Sequence, residues 1–250
     1  MNYIDSACRR KWDSLVDQVD SQTFWVAGRI SQLQDSLHNK NFEQANRLSR
    51  ELSFWENVKR RLDTVDKNLK LIVASTVKYG VKVLPQDSSD IGYTSYDPIF
   101  NGLIFSIGGT ANFVHETTHG AQFEKGELAF RKDTASKFGD DETDELAAYE
   151  MQYAYDFRTI PGLPGDAFSF EVINPYWLRH VENKNRVAIY ARRGPVHLAL
   201  IHLTICSKWR RIRRAYRYLP DYKTTWYPGY QVMKDPKMFF KPQNCKELPK

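Results

Sequence analysis

Cysteine is scarce: the 250 residues hold three, Cys8, Cys206 and Cys245, and no two stand at the two-residue spacing of a zinc ribbon or a redox pair. A zinc ribbon or redox motif built on paired cysteines is therefore not indicated, and reduced thiols are expected. Long apolar runs are missing too. The nearest approach, Val196 to Cys206, is interrupted by His197, His202 and Thr204 and falls short of the roughly 18 residues a membrane-spanning helix needs. No transmembrane helix is expected. The first residues, Met1-Asn2-Tyr3-Ile4-Asp5, lack the apolar centre of a secretory signal, and the chain turns basic at Arg9, Arg10 and Lys11. The expectation is a cytoplasmic protein, or one secreted without a classical signal peptide. Proline and glycine nearly vanish from Ser6 to Leu69, which has no Pro and one Gly, so little there interrupts a helix.

With 42% hydrophobic and 26% charged residues, the chain has the composition of a globular protein with a sizeable core. Its formal charge of +6 is uneven: Lys208 to Lys250 carries 12 Lys and Arg against 3 Asp and Glu, leaving 24 against 27 before it. In the glycine-poor N-terminal region, apolar residues recur at helical spacing in two runs that part near His38-Asn39-Lys40-Asn41, the pattern of a helical hairpin. Ala45, Leu48, Leu52, Trp55, Leu62, Val65 and Leu69 form one stripe on its second helix, to be buried against the rest of the chain or against a partner. Leu71 to Leu84 is rich in Val and Ile, Pro85 to Pro98 has loop composition, and Leu103 to Ile107 reads as a short strand. Gly108-Gly109 ends that strand, and Thr110 is placed to cap a following helix. Further helices are expected over Thr143 to Tyr155, Pro175 to His180 and Pro195 to Tyr218.

The helix after Gly109 contains His115-Glu116-Thr117-Thr118-His119. Residues four apart lie one turn apart on the same face, so both imidazoles can reach one Zn²⁺ while Glu116 stands beside its open position. Zinc brings the pKa of a bound water to about 7, and a carboxylate alongside can take its proton as a carbonyl is attacked. That is the chemistry of peptide hydrolysis. A third ligand is required. Glu145 is the preferred choice, since Ala147 and Ala148 let its helix approach closely and Glu145, Tyr149 and Gln152 share a face; Asp144 and Glu142 are the alternatives. A donor for the oxyanion is also needed, and His180 is taken as the candidate ahead of Tyr176 and Arg179. Neither His180, His197 nor His202 is tied by spacing to the first histidine pair.

A His-Glu-x-x-His helix followed by a ligand Glu on a second helix resembles the gluzincin branch of the zincin metallopeptidases. More narrowly, Tyr96-Asp97-Pro98, Asn101 to Phe105, Gly109 to Phe123 and Asp144 to Tyr153, with Ile173 to His180 as a weaker extension, resemble metallopeptidase domains of bacterial polymorphic toxins. The resemblance implies zinc held by His115, His119 and Glu145, Glu116 as base, and a strand near Leu103 to Ile107 bordering the cleft, where an extended substrate pairs by strand addition. One position departs from the thermolysin-like pattern. Tyr149 stands four residues after the ligand Glu, where an Asp would orient a metal histidine, so the tyrosine hydroxyl or another carboxylate is expected to do so.

The expected architecture is α+β: a helical extension over residues 1–70, a zincin-like domain over 71–218 with a small, mostly antiparallel sheet and the motif helix, and a basic irregular tail over 219–250. The expected function is zinc-dependent hydrolysis of peptide bonds, and the narrower resemblance implies a toxin or effector. The alternative is a non-catalytic binding protein on a zincin scaffold. A protein or peptide substrate is the expected partner, an inhibitor or immunity protein a second. The basic segment Lys208 to Tyr218 interleaves cations with aromatics, which also suits nucleic acid or an anionic membrane, although a helix packing Trp209, Ile212 and Tyr216 inward is the favoured reading.

Overall fold

The computed structural model describes residues 4, 8–37, 41–85, 92–132, 134–135, 137–138, 142–160, 162–163, 169–181 and 239–240. Two long helices open the chain, α1 (Arg9–Leu37) and α2 (Phe42–Ala74). In α1 the buried residues Trp12, Leu15, Val19, Val26 and Leu33 recur at steps of three, four and seven, a single stripe along one face. Asn41 starts α2 by accepting a hydrogen bond from the Gln44 backbone N–H through its side chain (3.0 Å). The helix then runs to Ala74, beyond the change of composition at Leu71, because Leu69 and Ile72 remain on its buried face. Its stripe packs within the chain, against α1 and against two later helices.

The strands are β1 (Lys78–Val83), β2 (Tyr93–Asp97) and β3 (Gly102–Ile107), in the spatial order β1-β3-β2. This sheet is mixed rather than mostly antiparallel: β1 runs parallel to β3 and β2 runs against it. β2 lies inside the segment whose composition reads as a loop. Its residues nevertheless alternate, with Thr94 and Tyr96 buried, as a strand with one covered face requires. Asp97 closes the turn to β3 by accepting from the backbone N–H groups of Ile99 and Phe100 (2.8 and 2.9 Å).

From β3 the chain enters α3 (Thr110–Glu124). Gly109, not Thr110, holds the cap position, and the Thr110 hydroxyl donates to Gln18 of α1 (2.6 Å) instead. A second small sheet follows, with β4 (Ala129–Arg131) flanked by β5 (Lys137–Phe138) and β6 (Phe239–Phe240), both antiparallel to it. α4 (Glu142–Asp156) and the short α5 (Pro175–Arg179) complete the described chain. The helix expected over Pro195 to Tyr218 lies outside the described residues, as does the tail apart from β6. Among the described residues no helix is long and apolar enough to cross a membrane.

One core joins the hairpin to the sheet: Trp12, Leu15, Val19, Val65, Leu69 and Ile72 pack with Tyr79, Leu103, Phe105, Phe113 and Phe123. Trp12 meets Phe113 edge to face at 5.1 Å, and Tyr79 stacks on Phe105 at 5.5 Å. α3 is thus enclosed, with every residue from Phe113 to Phe123 buried. Gly120 permits the closest approach, since a Cβ there would stand 2.8 Å from the Phe105 ring and 3.1 Å from Ile72. Phe105 is itself fully buried, with Trp12 and Tyr79 against its ring. Gly120→Val is therefore expected to lower stability by about 1–3 kcal/mol through overpacking, despite its better helix propensity. An unchanged or raised denaturation midpoint would contradict this close packing.

Candidate metal centre

The buried surface of α3 carries His115, Glu116, Thr117, Thr118, His119 and Gln122, and polar groups away from water are costly unless each finds a partner. The two threonines resolve this locally, donating to the carbonyls one turn back: Thr117 to Phe113 (2.8 Å) and Thr118 to Val114 (2.9 Å). The histidines do not. Their Nε2 atoms face each other at 3.2 Å. Glu145, in the first turn of α4, sets Oε2 3.6 Å from both. His115, His119 and Glu145 are buried, with their ligand atoms all within 4.8 Å of one another, and so lie close enough to bind a metal ion.

The tautomer of His119 follows from its neighbour. Nδ1 lies 2.7 Å from Gln122 Oε1, while Gln122 Nε2 donates to the Asp144 carbonyl (2.9 Å), which fixes the orientation of the carboxamide. A carboxamide oxygen only accepts, so Nδ1 bears the proton and Nε2 presents its lone pair to the centre. Gln122 thereby joins the two helices that carry the donors. For His115, Nδ1 is buried and has no hydrogen-bond partner among the described residues. The Tyr149 ring lies edge-on to its imidazole (4.5 Å between centroids, 75°), with Trp177 behind it. The expectation of a tyrosine hydroxyl or carboxylate orienting a metal histidine is thus corrected among the described residues: the Gln122 carboxamide orients His119, and the Tyr149 ring packs edge to face against His115.

Glu116 is buried beside this set and outside it. Its Oε2 accepts from the Thr94 hydroxyl (2.7 Å), which also reaches the Glu116 carbonyl (3.2 Å). Burial raises the Glu116 carboxyl above its ordinary pKa, against the pull of His115, Lys137 and the Thr94 hydrogen bond, while Glu145 adds to the rise. Glu145 behaves oppositely. Burial opposes its ionisation, yet Lys137, His119 and His115 hold its carboxyl well below the usual carboxylate range.

Among the other acids considered, Glu142 is engaged by the fork of Arg179 (2.7 and 3.2 Å). The Arg179 guanidinium is thus paired with α4. His180 is exposed at the end of α5, with Nδ1 2.7 Å from the Tyr176 carbonyl and its ring against Tyr176. Tyr176 is 76% exposed. Gln152 turns to Thr159 (3.3 and 3.2 Å) rather than to the donors. His197 and His202 lie outside the described residues. The strand expected to border a cleft, β3, has neighbours on both sides and offers no edge; β2, through Thr94, is the strand that touches Glu116.

No family model, curated protein or solved structure matches this chain.

Sequence reasoning missed Thr94, Gln122 and Lys137. The spacing of Gln122 was available, since a residue three beyond His119 lies on the same helical face. Thr94 was concealed by the loop-like composition around it. Lys137 Nζ stands 2.6 Å from Glu145 Oε1 and 3.0 Å from His119 Nε2, a meeting that depends on β5 and carries no local signal. Because Gln122 fixes the tautomer of His119, Gln122→Leu is expected to weaken the affinity for a metal ion bound at this candidate centre roughly 10- to 100-fold. Chelator competition measures this, and an affinity equal to wild type would contradict the role.

Proposed function

We propose that this chain is a zinc-dependent hydrolase of peptide bonds on a zincin-like scaffold. The observation that carries the reading is a buried carboxylate, Glu116, held beside a two-histidine, one-glutamate donor set without belonging to it. Two His and one Glu is the ligand set of catalytic zinc that keeps a fourth position open. A tetrahedral zinc ion with bonds of roughly 2.0–2.1 Å needs ligand atoms about 3.3–3.4 Å apart. The separations here are 3.2, 3.6 and 3.6 Å. The order of strand β3, motif helix α3 and ligand helix α4 is also that of the zincin resemblance.

Bound zinc would supply a Lewis acid that polarises the scissile carbonyl and acidifies water. His119 would bind through Nε2, with Gln122 holding its proton on Nδ1, and His115 would bind through Nε2. Glu145 would bind through Oε2, the oxygen facing the histidines. Glu116 would act through Oε1, because Oε2 is anchored by Thr94. That oxygen takes the proton of the attacking water and can return it to the departing amine. β2, whose Thr94 holds Glu116, is an edge strand of its sheet and the backbone an extended peptide would follow, short of Tyr96, whose N–H already donates to the Ala135 carbonyl (3.0 Å). The toxin resemblance extends the reading to an effector whose harm comes from proteolysis.

Glu116→Gln preserves shape and the bond from Thr94 while removing the base. It is expected to retain the metal and to lose about 10²- to 10⁴-fold in turnover of a peptide library that the zinc-loaded wild type cleaves. Full activity in the zinc-loaded variant would sink the mechanism, and a wild type that binds zinc but cleaves nothing would favour the binding scaffold.

A further inference from the structure

Every member of the candidate centre except one is almost fully enclosed. The side chains of His115, His119 and Glu145 are 6%, 0% and 1% exposed, whereas Lys137 retains 19%. Lys137 comes from β5, a strand of two residues paired to β4 through Phe130, and so belongs to neither helix that carries the donors. Its ammonium donates to Glu145 Oε1 at 2.6 Å and approaches His119 Nε2 at 3.0 Å.

The second contact is the informative one. Gln122 keeps the His119 proton on Nδ1, so Nε2 has one lone pair, and that lone pair is what a metal ion would need. An ammonium hydrogen and a metal ion cannot both occupy it. With Glu145 the two cations are not rivals in the same sense, since Oε1 faces Lys137 and Oε2 faces the histidines. The positive charge of Lys137 also does in the metal-free protein what an ion would do, offsetting a carboxylate buried among imidazoles.

We propose that Lys137 is the resident cation of the metal-free centre, and that metal loading is an exchange in which its ammonium leaves His119 Nε2 to the ion. This rests on the reading of His115, His119 and Glu145 as metal ligands. The protein without metal is then held in a closed arrangement, and the apparent affinity is lowered by the fraction of molecules in which the lysine has withdrawn. Withdrawal requires little movement of the ligand helices, because the side chain reaches the donors from a separate, more exposed strand.

The test compares wild type, Lys137→Met and Lys137→Gln as full-length proteins, measuring zinc affinity by chelator competition and thermal unfolding with and without zinc. Both variants should bind zinc at least about tenfold more tightly. Each should unfold at a lower temperature than wild type when metal-free, because Glu145 has lost its cation, and should recover that loss when zinc is added. Equal or weaker zinc affinity in the variants would overturn the exchange and make Lys137 an ordinary support for Glu145, leaving the zinc reading intact. Absence of zinc binding in all three proteins would overturn the zinc reading itself, and the exchange with it.

Discussion

Two imidazole nitrogens facing each other at 3.2 Å in a water-poor interior, with a carboxylate 3.6 Å from both, constrain much of what surrounds them. Such groups are expensive to bury, and two nitrogens at that separation can share at most one proton between them. The arrangement persists because a cation balances the carboxylate and the polar atoms around it are bonded, His115 Nδ1 excepted among the described residues. Lys137 provides the charge, and Gln122 and Thr94 provide bonds. An ion of suitable size would meet the same need more completely, with three donors instead of two.

The scaffold serves this constraint by packing. α3 is enclosed by the N-terminal hairpin, β3 and α4, with Gly120 letting it settle against Phe105 and Ile72. The aromatic cluster of Trp12, Tyr79, Phe105 and Phe113 resists displacement on one side. On the other, Gln122 bonds the backbone of α4 at Asp144, the residue preceding Glu145. Rigid helices joined at that point keep donor positions to within the tolerance that metal coordination demands. The N-terminal helices are therefore part of what positions the centre, through the core they share with the sheet.

Much of this was legible in the sequence because the relevant signals are local. Helical periodicity with no Pro and a single Gly pointed to the hairpin, and the four-residue spacing of His115 and His119 to one face of a helix. Acidic residues at the start of α4 narrowed the third donor to three candidates. What remained hidden depends on chain segments meeting across the fold. β2 was obscured by flanking Ser, Asp, Gly and Pro, although Tyr93 to Asp97 alternates as a strand should. α2 extended to Ala74 because Ile72 had a core to enter, which Val-rich composition alone could not indicate. His180 had a suitable side chain but ends α5 in solvent, where Tyr176 is its neighbour. Lys137 reaches the donors only because β5 pairs with β4.

The proposed function requires His115, His119 and Glu145, which lie close enough to bind a metal ion, to hold one zinc ion together. Metal content of purified protein, wild type beside Glu145→Ala and His119→Ala, tests it most directly. The account predicts about one zinc per wild-type chain and marked loss in both variants, since two remaining ligands hold the ion far more weakly. A folded wild type that stays metal-free in zinc-containing buffer, or a Glu145→Ala protein that keeps its full zinc complement, would contradict it.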